Sequence, residues 1–218
     1  DFVKPKLVLS RTDNNHTLWQ LKRRPNVTYK VALVQNGWRF EYQDSLPEPS
    51  TKMRFEVDQF FSFGDASSKI LAKRLKGEIT AIGSIRANLF PIENNLKQAK
   101  PVAFVSTFRV SKHKNYIEGT IFFKHLESVC IQKKKTISIA GCERSIEGNR
   151  VEKTHYSQVF SSDSWNLFPR SSEVSSYQLI RGASCVIVES SSLGYESLAM
   201  GLRTGFFAIR ERNRITDR

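Results

Sequence analysis

The stretch that leaves the fewest options is Cys185 to Gly201, CVIVESSSLGYESLAMG. Four apolar residues, Cys185 to Val188, read as a short buried strand. Ser190, Ser191 and Ser192 follow where that strand ends, and Leu193 to Met200 then reads as a helix closed by Gly201. A strand running into a helix through a small-residue turn calls for an α/β layer. At such a turn, free backbone N–H groups, serine hydroxyls and the positive end of the helix dipole converge, a combination that suits an anion. Glu196 is placed in the first helical turn, where a carboxylate can accept hydrogen bonds from sugar hydroxyls, so phosphate beside ribose is the implied ligand. The same residues also serve plain structure, since serine caps helices anywhere and an early acid complements the dipole.

The remainder of the chain repeats the rhythm. Lys6 to Ser10, Tyr29 to Val34, Asp58 to Phe63 and Ile79 to Ile82 read as strands. Helices are predicted over Thr17 to Arg24 and over Ser67 to Leu75, the second ended by Gly77. Tyr42 to Arg54 carries Pro47 and Pro49 and reads as a loop. Polar clusters stand at the strand ends, as expected where a parallel sheet presents its carboxyl edge to a ligand. Residues 1–92 form one predicted unit, 93–100 a linker ending before Pro101, and 101–218 a second unit. In the second unit Val102 to Val105, Ile137 to Ala140, Trp165 to Phe168, Cys185 to Val188 and Thr204 to Ala208 are strands. Tyr116 to Gln132, part of Arg144 to Phe160, and Tyr177 to Arg181 are helical.

Charge narrows the partner. With 34 Lys+Arg against 21 Asp+Glu the chain carries +13, which favours an anionic partner such as a nucleotide, a phospholipid face or nucleic acid. Cys130, Cys142 and Cys185 show no CxxC spacing, which argues for a reducing compartment. His16, His113, His125 and His155 lack metal-ligand spacing, so no metal is expected.

Taken in order, Asp13-Asn14-Asn15, Gln35-Asn36-Gly37-Trp38-Arg39, Phe63-Gly64-Asp65, Gly83-Ser84-Ile85-Arg86-Ala87-Asn88 and the Ser190 to Glu196 turn resemble the successive motifs of bacterial surface-carbohydrate (O-antigen or capsule type) glycosyltransferases of the GT-B fold. The resemblance implies two Rossmann-like α/β domains, the first an incomplete acceptor-side domain and the second the sugar-donor domain. It also implies a substrate that is a nucleotide sugar with no separate cofactor, a glycan or lipid-linked acceptor, and a cytoplasmic location at the inner membrane face. The serine-rich turn replaces the glycine pair common in such enzymes.

In that chemistry a transferase offsets charge on the departing nucleotide and takes a proton from the acceptor hydroxyl. Ser106, Arg109, Ser190, Ser191, Ser192, Gly194 and Glu196 are the expected sugar-donor contacts. Asp13 is the expected base, facing a cleft, with a helix cap as its structural alternative. Asn36, Arg39 and Arg86 are expected to meet the acceptor or a phosphate. A nucleotide-sugar epimerase of the same architecture would use the same nucleotide site, with Asp13, Asp65, Glu143 and Glu196 as carboxylates. A nucleic-acid or partner-binding module, suggested by the charge and by Trp38, Phe60, Phe61 and Phe63, lacks a recognisable signature and is not favoured.

Overall fold

A computed structural model of the chain describes residues 4–13, 16–37, 55–89, 100–108, 120–172, 174–189 and 191–207. Arg39, Trp38, Arg109, Ser190 and the loop read over Tyr42 to Arg54 lie outside them. The chain divides into two compact units, Asp1–Asn88 and Leu89–Arg218.

The first unit is a four-stranded parallel sheet in the order β1 (Leu7–Ser10), β2 (Lys30–Val34), β3 (Phe55–Ser62), β4 (Leu75–Ala81). The helix read over Thr17 to Arg24 is broken into α1 (His16–Trp19) and a 3-10 turn (Leu21–Arg23). α2 (Asp65–Ala72) joins β3 to β4, and α3 (Ile85–Asn88) follows β4. Val31, Leu33, Phe55, Val57, Phe60, Leu71 and Leu75 form the core. Phe60 is thus packing material rather than a base-stacking surface. Asp58 pins β3 to its neighbours by accepting the Val31 N–H at 2.7 Å and pairing with Lys22 and Lys30.

The strand read from Asp58 begins three residues earlier, and the boundary between α2 and β4 is corrected. Leu75 opens β4 instead of ending α2, and Gly77 lies within that strand at a register shift against β3. With φ of +146° and a would-be Cβ 2.2 Å from the Val57 carbonyl oxygen, position 77 admits only glycine without rearrangement.

The second unit is a five-stranded parallel sheet built from β5 (Val102–Val105), β6 (Ile137–Ala140), β7 (Trp165–Phe168), β8 (Cys185–Val188) and β9 (Thr204–Phe206). Its spatial order is β7-β6-β5-β8-β9, so the first strand of the unit lies between the second and the fourth. This is the doubly wound arrangement, which reverses direction between β5 and β8. Helices α4 (Thr120–Gln132), α5 (Ile146–Val159), α6 (Ser175–Arg181) and α7 (Ser192–Ala199) connect the strands. β5, β6 and β8 are covered on both faces, hence the unbroken apolar runs of β5 and β8 and the single small polar residue, Ser138, of β6, whereas the edge strand β7 alternates half-buried with exposed. The core joins Phe104, Ile137, Ile139 and Ile187 of the sheet to Phe123, Leu126, Cys130, Tyr156 and Val159 of α4 and α5. Edge-to-face rings, such as Phe104 on Phe123 at 5.1 Å and 88°, fill it. Among the described residues no helix is long and apolar enough to cross a membrane.

Candidate functional site

Parallel strands deliver the turn that follows each of them to one edge of their sheet. In the first unit the segments after β1, β2, β3 and β4 hold Asp13, Gln35-Asn36-Gly37, Phe63-Gly64-Asp65 and Gly83-Ser84, so the four motifs separated in sequence share the carboxyl edge. Side chains bind that edge together. Asp13 Oδ1 accepts the Asn36 N–H at 3.1 Å, and Gln35 Oε1 accepts the Phe63 N–H at 2.7 Å while its amide donates to the Gly37 carbonyl. Asp13 is 1% exposed, which corrects the expectation that it faces a cleft. In sequence it stands three residues ahead of α1, which begins at His16. Asn36 keeps an exposed side chain at this edge, and Arg86 is half-buried on α3, whose first turn is held by Ser84 Oγ accepting the Ala87 N–H.

In the second unit the strand order reverses between β5 and β8, the place where sheets of this kind take ligands between diverging loops. The residues there are Ser106, Thr107 and Phe108 after β5, and Glu189 with the Ser191 turn after β8. A hydrogen bond from Thr107 Oγ1 to Glu189 Oε2 at 2.7 Å spans the reversal itself. Ser191 is the N-cap of α7, with φ −77° and ψ 138°, and its Oγ accepts the Leu193 N–H at 3.3 Å. That bond uses a hydroxyl lone pair and not the O–H proton, so capping and anion binding are compatible uses of one serine. Ser192 is the first helical residue and is half-buried.

Gly194 serves the same geometry indirectly. A Cβ there would stand 2.5 Å from Val188 Cγ2 and 2.8 Å from Phe206 Cε1, so the missing side chain lets α7 lie close on β8 and β9. Glu196 lies in the second turn of α7, not the first, and is 5% exposed; Oε2 accepts the hydroxyl of Tyr177 from α6 at 2.5 Å.

Ser106 belongs to an interior network instead of the solvent edge. Its hydroxyl donates to Glu152 Oε1 and accepts from Tyr156 Oη at 2.9 Å and the Phe108 N–H at 3.1 Å. One proton and two lone pairs are all a hydroxyl has, so Ser106 is saturated within the protein. Glu152 also accepts the N–H groups of Cys142 and Glu143 at 3.1 Å, fixing the turn after β6. Burial pushes its carboxyl above the ordinary range, against the lowering effect of Ser106 and the two amides.

Glu152, Tyr156, Thr107, Glu189 and Tyr177, which hold the ends of this edge and the α6–α7 contact, were not singled out from sequence in those roles. A signal existed for the first two: positions 148, 152, 155, 156 and 159 lie on the buried face of α5, and a glutamate on such a face implies interior partners. Among the described residues no group of three or more His, Cys, Asp or Glu side chains is placed to hold a metal ion.

Two doubly wound or all-parallel units with polar carboxyl edges define the Rossmann-like GT-B class of α/β proteins. Solved structures of that class match at fold level. The glycosylation-associated Gap123 complex of Streptococcus agalactiae aligns with a TM-score of 0.56 at 10% identity, over 97% of this chain and 45% of that one. The S. aureus MnaA–UDP co-structure gives 0.59 at 16% identity, over 92% and 56%. The Methanocaldococcus jannaschii UDP-GlcNAc 2-epimerase with UDP-GlcNAc and UDP gives 0.54 at 12% identity, over 93% and 60%. The chain thus spans about half the length of the solved structures it matches. No curated protein matches it in sequence. A family model described as "putative O-antigen biosynthesis protein" matches residues 32–217, and the chain belongs to that family.

Proposed function

We propose that this chain is part of a transferase that moves a sugar from a nucleotide-activated donor to a surface-glycan or lipid-linked acceptor, at the inner face of the membrane, with the nucleotide seated in the second unit. The observation that carries the reading is the coincidence of the serine turn with the reversal between β5 and β8. The α7 N-terminus, Ser191 and Ser192 would meet the phosphates there without a metal, and Glu196 would take the ribose hydroxyls. Membership in an O-antigen biosynthesis family supports a surface-glycan acceptor. In the first unit Asn36 and Arg86 are the proposed acceptor contacts, and Asp13 organises their edge.

A second reading, epimerisation of a nucleotide sugar, is supported by the fold-level matches to the UDP-bearing MnaA and 2-epimerase structures. Its candidate carboxylate Asp13 is buried and takes the Asn36 N–H, which weighs against it.

The test is a calorimetric and thermal-shift panel of CMP, CDP, UDP, GDP and their sugars against the chain and its Ser191→Ala and Glu196→Ala variants, each compared with its own unliganded melting temperature. One base class stabilising the parent and losing affinity in both variants supports the site. No binding to a folded chain refutes it. With the bound sugar nucleotide in hand, nucleotide release that requires added acceptor lipid marks a transferase, and sugar interconversion without acceptor marks an epimerase.

A further inference from the structure

Joining two helices through a buried carboxylate is costly. Tyr177 is 4% exposed and Glu196 5% exposed, and a tyrosine hydroxyl on a carboxylate oxygen is the contact between them. An apolar pair of similar volume would pack α6 against α7 without desolvating a charge. Glu196 also stands one helical turn beyond Ser192, so it shares the α7 face that carries the first helical residue of the serine turn.

We infer that Tyr177 is a positioning residue for ribose recognition: by donating to Oε2 it fixes the plane of the Glu196 carboxylate, and so the direction in which that group accepts the ribose hydroxyls of a nucleotide at the α7 N-terminus. This rests on the assignment of Glu196 to the ribose made above. Three features of the structure support it. The two residues come from different helices, so the carboxylate's orientation is set by tertiary packing and not by α7 alone. Tyrosine supplies a neutral hydrogen bond through a rigid ring with few rotatable bonds, which holds geometry at small entropic cost. The neighbouring Ser197 hydroxyl is committed elsewhere, donating to the Gly194 carbonyl at 2.7 Å and lying 2.7 Å from Thr204 Oγ1, which locks the turn of α7 that carries Glu196.

The inference makes a distinction that a purely structural staple does not. The readout is the affinity ratio between each ribonucleoside diphosphate (ADP, CDP, GDP, UDP) and its 2′-deoxy counterpart, measured by titration calorimetry on the whole chain. For the nucleotide that binds, the parent is expected to prefer the ribose form by about tenfold or more, the scale of one or two hydrogen bonds to a charged group. Glu196→Gln should bring the ratio near unity. Tyr177→Phe, which removes only the hydroxyl, should cut the ratio to below about threefold while leaving the deoxy affinity within about twofold. The Tyr177→Phe/Glu196→Gln double variant should match Glu196→Gln alone, because Tyr177 acts through the carboxylate.

Each other result counts against the inference. If Glu196→Gln loses discrimination and Tyr177→Phe keeps it, the ribose assignment stands and positioning by Tyr177 is wrong. If the double variant loses more than Glu196→Gln, Tyr177 acts on its own. If Tyr177→Phe fails to fold, the pair is a staple. If the parent binds none of the nucleotides, or binds one without preferring ribose, the assignment of Glu196 falls and the inference falls with it.

Discussion

Replacing Ser106 with alanine should damage this protein far more than loss of one surface-edge hydroxyl would. In the structure Ser106 Oγ is the hub on which Tyr156 Oη, the Phe108 N–H and Glu152 Oε1 meet. Glu152 keeps the Cys142 and Glu143 amides after the substitution, but Tyr156 Oη and the Phe108 N–H each lose this partner. Tyr156 and Phe108 are both 0% exposed, so bulk water does not replace it. A buried neutral group deprived of its partner costs about 1–3 kcal/mol, which places Ser106→Ala at about 3 kcal/mol for the two groups. At about 2–4 °C per kcal/mol for a chain of this size, the melting temperature should fall by about 6–12 °C.

Tyr156→Phe removes one donor to a hydroxyl that retains another, and should cost about 1 kcal/mol. The decisive term is the coupling. In the double variant the hydroxyl that Ser106→Ala deprives of one bond is itself gone, so the combined loss should be smaller than the sum of the singles by about 1–2 kcal/mol. Urea unfolding of the whole chain measures the totals. Hydrogen exchange reads the network locally: the Phe108 amide should exchange faster in Ser106→Ala by a larger factor than the Cys142 and Glu143 amides, which Glu152 still holds. Additivity within about 0.5 kcal/mol, or a Ser106→Ala loss below that value, would refute the reasoning.

Gly194→Ala should destabilise the chain by about 1–3 kcal/mol in urea unfolding despite alanine's better helix propensity, because the added carbon meets the fully buried Val188 at 2.5 Å. Nucleotide affinity should fall with it as α7 shifts, and a gain in stability would overturn the packing role of position 194. Asp13→Ala should cost about 1–3 kcal/mol through the Asn36 N–H, whereas Asp13→Asn, which keeps an acceptor oxygen, should preserve stability and keep turnover within about threefold. A loss of about 10²-fold or more in a folded Asp13→Asn variant would instead make it the base. For pH, burial pushes the Glu127 carboxyl up, but the hydroxyls and amides of Ser162 and Ser161 outweigh it and hold the group below its ordinary value. Its contribution is present above the unfolded value and lost as pH falls through the folded one; Glu152, raised by burial, contributes below its unfolded value and loses that contribution as pH rises through the folded one. Urea midpoints from about pH 2 to 8 should show Glu127→Gln flattening the acid limb and Glu152→Gln flattening the opposite slope.

The sheet was most legible where strands are covered on both faces. Val102–Val105, Ile137–Ala140 and Cys185–Val188 coincide with the strands read from sequence, because a short run of apolar residues, broken only by Ser138, between turn formers fits nothing else of that length. Legibility fails where a partner distant in sequence decides. Leu75 and Lys76 suit a helix as well as a strand, and only pairing with Phe55 and Glu56 of β3 settles the choice. Ser106 looked like an edge serine because its partners lie 46 and 50 residues away.

The same distinction separates the polar residues that can serve a ligand from those that cannot. Asp13, Gln35, Ser106 and Glu152 stand at or beneath strand ends, the positions that draw attention in a parallel sheet, yet each is buried and directs oxygens at the backbone N–H groups of a neighbouring turn. Parallel strands need such service, since each ends at the same edge in a turn whose amides have left the ladder without entering a helix. A polar cluster at a strand end is therefore evidence of an edge, and only hydrogen-bonding capacity left unspent makes it evidence of a ligand. Ser191 meets that condition: its cap bond to Leu193 takes a lone pair, and its O–H proton, at the positive end of α7 beside the strand reversal, is the kind of group a phosphate oxygen requires.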